Sequence, residues 1–148
     1  MLSTTTPVAF ERLYAEVQQF YAHHMHLLDA GAAGEWAATF TEDAEVLLPL
    51  MTEPARGREA LTTAVARAAA ERAERGEIQR HWHGMVCVRP DPDGRTVRVR
   101  CYALVFLTVR GGSPVLHRTC VCEDEMVRDH TAGGWLIRRR TVTRDDLS

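Results

Sequence analysis

The sequence has no lysine: all 18 basic residues are arginine, set against 20 acidic residues for a net charge of −2. That balance gives no global attraction to nucleic acid or to an acidic membrane surface. No segment approaches the roughly 20 apolar residues of a membrane span, and no amino-terminal apolar stretch has a signal-peptide pattern. Gly-rich phosphate loops, nucleotide fingerprints and serine-nucleophile motifs are all missing. So are internal repeats, low-complexity tracts and linkers. Cysteine is scarce, and Cys87, Cys101, Cys120 and Cys122 lie inside alternating apolar runs rather than in turns. This is the pattern of reduced thiols in a cytoplasmic protein, not of a disulfide framework. What is present is a 148-residue chain that fits a single domain over residues 1–148, long enough to bury about two-thirds of its unfolded surface.

Helices come first along the chain and strands afterwards. From Pro7 to Ala30, Phe10, Leu13, Val17, Phe20, Tyr21, Leu27 and Leu28 recur at helical spacing, with Pro7 near the start and Gly31 past the end. A short second helix is expected to carry Trp36 and Phe40 and to lead through Asp43-Ala44 into a strand over Glu45–Leu50. An Ala-, Glu- and Arg-rich pattern predicts a helix from Arg58 to Arg75, stopped by Gly76. Gln79–Arg89 and Thr96–Val109 read as a hairpin around Pro90–Gly94. Pro114–Arg128 and Trp135–Thr143 read as another around 129–134.

Helices at one end and four or five strands at the other predict an α+β fold, with helices on one face of a curved, mainly antiparallel sheet. Two strands of about 13 residues exceed the usual ~5–6, and long strands in one sheet twist and curl. The result is a cone-shaped α+β barrel closed by the amino-terminal helices, with the ligand site inside it.

Alternation sorts the strand residues by face. His81, His83, Met85 and Cys87 share one face of their strand, opposite Trp82, Val86 and Val88. Cys120, Cys122, Asp124 and Met126 share a face of theirs, opposite Val121, Glu123, Glu125 and Val127. Asp124 is thus an acid on an otherwise apolar or thiol-bearing face, where burial demands a nearby His or Arg. The pocket-lining candidates are Tyr14, Tyr21, His24, Trp36, His83, Met85, Cys122 and Met126, with the aromatic ones placed to stack on a flat substrate; packing alone explains those aromatics equally well. An outer sheet face with Val86, Val88, Val121 and Val127 among charges predicts a homo-oligomer, most simply a dimer.

Three clusters point elsewhere and are set aside. His81-x-His83 and Cys120-x-Cys122 have spacings that metals use, but no third ligand is evident, so no metal or other cofactor is expected. His23-His24-x-His26 spreads its rings by about 100° per residue around a helix. Arg138-Arg139-Arg140 alternates faces on a strand, giving a charged sheet surface with one inward arginine rather than a nucleic-acid site.

Several landmarks occur together in order: the Leu28-Asp29 helix end, Trp36 and Phe40 before Asp43-Ala44, Arg56-Gly57-Arg58-Glu59-Ala60, Arg80-His81, and Gly134-Trp135-Leu136-Ile137. From about Val17 to Arg144 this order resembles the SnoaL-like branch of the nuclear transport factor 2-like superfamily, which includes polyketide cyclases and scytalone dehydratase. That fold is cystatin-like. The resemblance implies that Asp29 orients His81, and that a polar residue on the penultimate long strand, at Asp124, completes the site. It differs from scytalone dehydratase at Leu48, where that enzyme has a tyrosine, and at about Leu107, where it has a second histidine.

A histidine exchanges protons near neutral pH, and an adjacent carboxylate fixes its tautomer and raises its basicity. Asp29 would orient, His81 would transfer, and Asp124, if held in an apolar pocket, would have a raised pKa and serve as opposing acid or second base. The purely structural alternative has Asp29 capping a turn, His81 satisfied in the core, and Asp124 paired with an arginine such as Arg100 or Arg138. The expected function is a cofactor-independent cyclase, isomerase or dehydratase acting on a small apolar metabolite of polyketide type. A non-catalytic small subunit of a ring-hydroxylating dioxygenase-like assembly and a ligand-binding protein are the alternatives.

Overall fold

The computed structural model describes residues 9–147; the expected helix start at Pro7 lies outside them. Helix α1 (Phe10–Asp29) is followed by α2 (Ala33–Ala37), strands β1 (Phe40–Leu47) and β2 (Ala55–Arg56), and helix α3 (Gly57–Glu74). Strands β3 (Glu77–Pro90), β4 (Thr96–Val109), β5 (Val115–Arg128) and β6 (Trp135–Arg144) follow, with a final 3-10 turn at Asp145–Leu147. The expected α+β class holds. The six strands form one sheet in the order β2-β1-β6-β5-β4-β3. It is antiparallel throughout except where β1 runs parallel to β6. The sheet curls but does not close, leaving β2 and β3 as edges. Among the described residues, no helix is long and apolar enough to cross a membrane.

The end of α1 is set by its sequence. Gly31 adopts φ 72°, its N–H bonds to Leu28 O and that of Ala32 bonds to Leu27 O, both at 3.0 Å. This pair of bonds satisfies the last carbonyls of the helix and requires a left-handed residue after the cap. A side chain at Gly31 would also stand 3.1 Å from the Ala69 methyl of α3. The turn therefore lets α2 lie close against α3 and fixes Asp29 as the last helical residue.

Phe40, expected in the second helix, instead opens β1: α2 stops at Ala37, and Phe40 pairs with Ile137 across the parallel β1–β6 ladder. Its ring is fully buried in the same core cluster as Val17, Met126 and Ile137, and each such side chain contributes about 1.5–3 kcal/mol by leaving water. Long-range packing outweighs the short helical pattern there.

A second departure lies in β3. Gly84 pairs with Tyr102 and Cys87 with Arg100, so two residues, Met85 and Val86, oppose one on β4. This is a β-bulge, with Met85 at φ 50°. Before the bulge the odd positions His81 and His83 face inward; after it the even positions do. Met85 and Cys87, expected inside, are exposed, Met85 by 80%. Val86 and Val88, expected outside, are buried.

Candidate active site

The helices and the concave side of the sheet enclose a cavity of about 380 Å³. Its walls are mainly apolar, with Met25, Leu28, Trp36, Leu61, Val65 and Val105 among them, and residues 48–51 of the β1–β2 connection also border it. The polar lining comprises Gln79, His81 and His83 from β3, Arg118, Cys120 and Cys122 from β5, and Arg140 and Arg144 from β6. Leu48 is part of the wall.

Asp29 and His81 meet at this wall. The Asp29 carboxylate takes the His81 ring through Nδ1 at 2.7 Å and the His81 backbone N–H at 3.0 Å, one bond to each oxygen. The carboxylate side chain is 9% exposed and the imidazole 16%. With Nδ1–H donated to Asp29, the lone pair sits on Nε2, the nitrogen that a carboxylate-held histidine uses for proton transfer. His81 also borders a smaller depression of about 260 Å³ between α1 and β3, shared with Tyr21, His26, Trp82 and His83.

Asp124 occupies a different environment. It is buried, and Arg140 grips it through Nε to Oδ1 and Nη2 to Oδ2, each at 2.8 Å, while the Tyr21 hydroxyl donates to Oδ2 at 2.6 Å. Burial pushes the Asp124 carboxyl up, but the Arg140 charge and hydrogen bonds, with that of Tyr21, outweigh it and hold the group below its ordinary range. The expected raised pKa is thus reversed. The pairing arginine is the inward member of the triplet rather than Arg100 or Arg138, whose partners are Glu123 and Glu125. With both oxygens engaged and no place in the cavity wall, Asp124 is not poised as an opposing acid.

The same network takes His24 into the core. Arg140 Nη1 donates to His24 Nε2 at 3.0 Å, so Nδ1–H donates to Thr39 Oγ1 at 2.7 Å, and the Thr39 hydroxyl donates to Trp36 O at 2.6 Å. Burial, reinforced by Arg140, pushes the His24 pKa well down and keeps the ring neutral. His24 therefore packs between Phe20 and Trp36 instead of facing the cavity. Met126 is likewise fully buried in the core. Tyr14, half-buried, donates its hydroxyl to Val86 O at 3.1 Å, and Tyr21 is committed to Asp124. Of the expected lining residues, Trp36, His83 and Cys122 do border the main cavity. The Trp36 indole N–H is buried, with no hydrogen-bond partner among the described residues.

The sequence reading missed one juxtaposition. Cys101 pairs directly with Cys122 across β4 and β5, and His83 Nδ1 lies 3.5 Å from Cys101 Sγ. The Cys122 thiol donates to Asp124 Oδ1 at 3.5 Å. The adjoining Cys122 sulfur, helped by His83, lowers the Cys101 thiol against burial, while the same contact and burial push Cys122 up. Strand parity identified Cys122 as inward; only the register brings Cys101 to it.

An open, curled α+β sheet with helices over a largely apolar cavity and a carboxylate-held histidine in its wall defines a cystatin-like α+β protein with an internal cavity. The SnoaL-like domain model matches residues 12–141, and the chain belongs to that family, within the nuclear transport factor 2-like superfamily. Aln2 from a Streptomyces species is 40% identical, with a TM-score of 0.83 over 96% of each chain. A Catenulispora acidiphila protein in complex with S-DNPA is 35% identical, with a TM-score of 0.78 over 93% of this chain and 96% of that one. A nuclear transport factor 2-like protein with a cystatin-like fold from Novosphingobium aromaticivorans is 25% identical, with a TM-score of 0.76 over 91% of this chain and 83% of that one. No functionally curated protein matches the sequence.

Proposed function

We propose that this protein is an acid–base enzyme that cyclises, isomerises or dehydrates a small, largely apolar metabolite of polyketide type, with His81 moving the proton. The observation that carries the reading is the Asp29–His81 pair in the wall of an apolar cavity of about 380 Å³. Such a volume lies within the range of small-molecule sites. Asp29 fixes the tautomer, so Nε2 abstracts a proton from carbon or hydroxyl, and the imidazolium that forms is stabilised by the same carboxylate. Returning that proton to a different carbon gives an isomer; returning it to a departing hydroxyl gives dehydration; attack of the carbanion on a carbonyl within the same molecule closes a ring, and the alkoxide that forms takes the proton back from the imidazolium. None of these steps requires a cofactor. The Trp36 side chain borders the cavity and supplies an aromatic surface for a planar ring.

The S-DNPA complex of a relative supports a small organic molecule as the occupant. The working form we propose is a cytoplasmic homodimer joined through the outer sheet face, where Ile78, Trp82 and Tyr102 are exposed. The test is incubation with a panel of hydroxylated polycyclic ketones, followed by mass spectrometry and NMR, with S-DNPA binding read by tryptophan fluorescence. Products of unchanged mass, or lighter by one water, support the reading. Tight binding with no turnover across the panel favours a ligand carrier instead.

A further inference from the structure

We propose that His83, Cys101 and Cys122 form a zinc-type metal site in the cavity wall, with its fourth coordination position open to the cavity. The three side chains come from three adjacent strands, and their ligand atoms all lie within 4.8 Å of one another. A tetrahedral zinc with Zn–S of about 2.3 Å and Zn–N of about 2.0–2.1 Å separates sulfur from nitrogen by about 3.6 Å. The observed Cys101 Sγ to His83 Nδ1 distance is 3.5 Å. Both sulfurs are soft donors suited to this ion, and two cysteines with one histidine plus an open position is a known arrangement for catalytic zinc.

The charges close as well. Two thiolates neutralise a dication, and beside them the Asp124 carboxylate is already neutralised by Arg140 at 2.8 Å, so loading the site leaves no net buried charge. Cys101 lies behind the wall, while His83 and Cys122 border the cavity. The open position therefore points to where a ligand would sit, and its natural occupant is a carbonyl or hydroxyl oxygen, polarised by the metal as a Lewis acid. The Asp29–His81 pair shares no ligand with this site, so metal binding and proton transfer are separable.

The test is cobalt titration of the reduced, chelator-stripped full-length protein. One equivalent of cobalt should produce a thiolate-to-cobalt charge-transfer band and the intense visible bands of a tetrahedral ion, and one equivalent of zinc should bleach both. Cys101→Ser and Cys122→Ser should each abolish the charge-transfer intensity contributed by that sulfur, and His83→Ala should shift the visible bands. Cys87→Ser and Cys120→Ser, with circular dichroism confirming the fold of every variant, should leave the spectrum unchanged. No charge-transfer band in the parent protein under excess cobalt would overturn the proposal. So would a band that survives loss of both Cys101 and Cys122, or a Cys101–Cys122 disulfide in protein purified without oxidant.

Discussion

Replacing Asp124 with asparagine separates a structural role for this residue from a catalytic one. In the native protein its carboxylate receives two bonds from Arg140 at 2.8 Å and one from Tyr21 at 2.6 Å, with Asp124 and Arg140 only 4% and 5% exposed. Asparagine keeps the shape but removes the charge, leaving a guanidinium buried without compensation, at a cost of about 3–5 kcal/mol. For a chain of this size, at about 2–4 °C per kcal/mol, the melting temperature should fall by about 6–20 °C. Urea unfolding followed by tryptophan fluorescence and circular dichroism gives the free energy directly. Replacing both partners with apolar residues, Asp124→Leu with Arg140→Met, should recover only part of the loss, because it removes the orphaned charge but leaves the buried Tyr21 hydroxyl and His24 Nε2 without the partners they have in the native protein. A stability within about 1 kcal/mol of the parent for Asp124→Asn, well below that cost, would refute the account of this network.

Acid should weaken the fold in a defined window. The Arg138 hydrogen bond pulls the Glu125 carboxyl down, and the backbone N–H groups of Arg95 and Thr96 draw Asp93 to about 2. Both groups bind protons less readily folded than unfolded, so their contribution is complete above the ordinary carboxylate range of about 4 and is lost as pH falls toward their folded values. The urea midpoint should therefore decline from about pH 4 downward, less steeply in Glu125→Gln, whereas a flat midpoint contradicts the assignment. For the proposed dimer, Trp82→Glu places a charge on the exposed outer face of β3 and should convert a dimeric mass by light scattering into a monomeric one. A monomeric parent at micromolar concentration would exclude that interface.

The parts of the fold that depend on local pattern were legible, and those that depend on register were not. Val, Leu, Phe and Tyr with alternation placed β4 over Thr96–Val109, as observed. Gly31 marked the end of α1, and hence the position of Asp29. Strand parity put His81 and His83 on the inner face, but it carried Met85 past the bulge in error, and Gly84 inside the strand was the available signal of that break. Parity also predicted a single inward arginine in residues 138–140. That it is Arg140, directly across from Asp124, depends on the β5–β6 register. The Cys101–Cys122 pairing is invisible for the same reason. Phe40 was misread because its strand pairs parallel with β6, far away in sequence, and nothing local encodes that partner.

Turnover of His81→Ala and Asp29→Asn, measured on the substrate found in the panel alongside their urea stability, tests the central claim most directly. Each substitution should lower kcat by roughly 10²–10⁴-fold while leaving the fold intact. Because both residues serve one proton path, the double variant should lose little beyond the worse single one. Full activity in folded His81→Ala and Asp29→Asn variants would contradict the account.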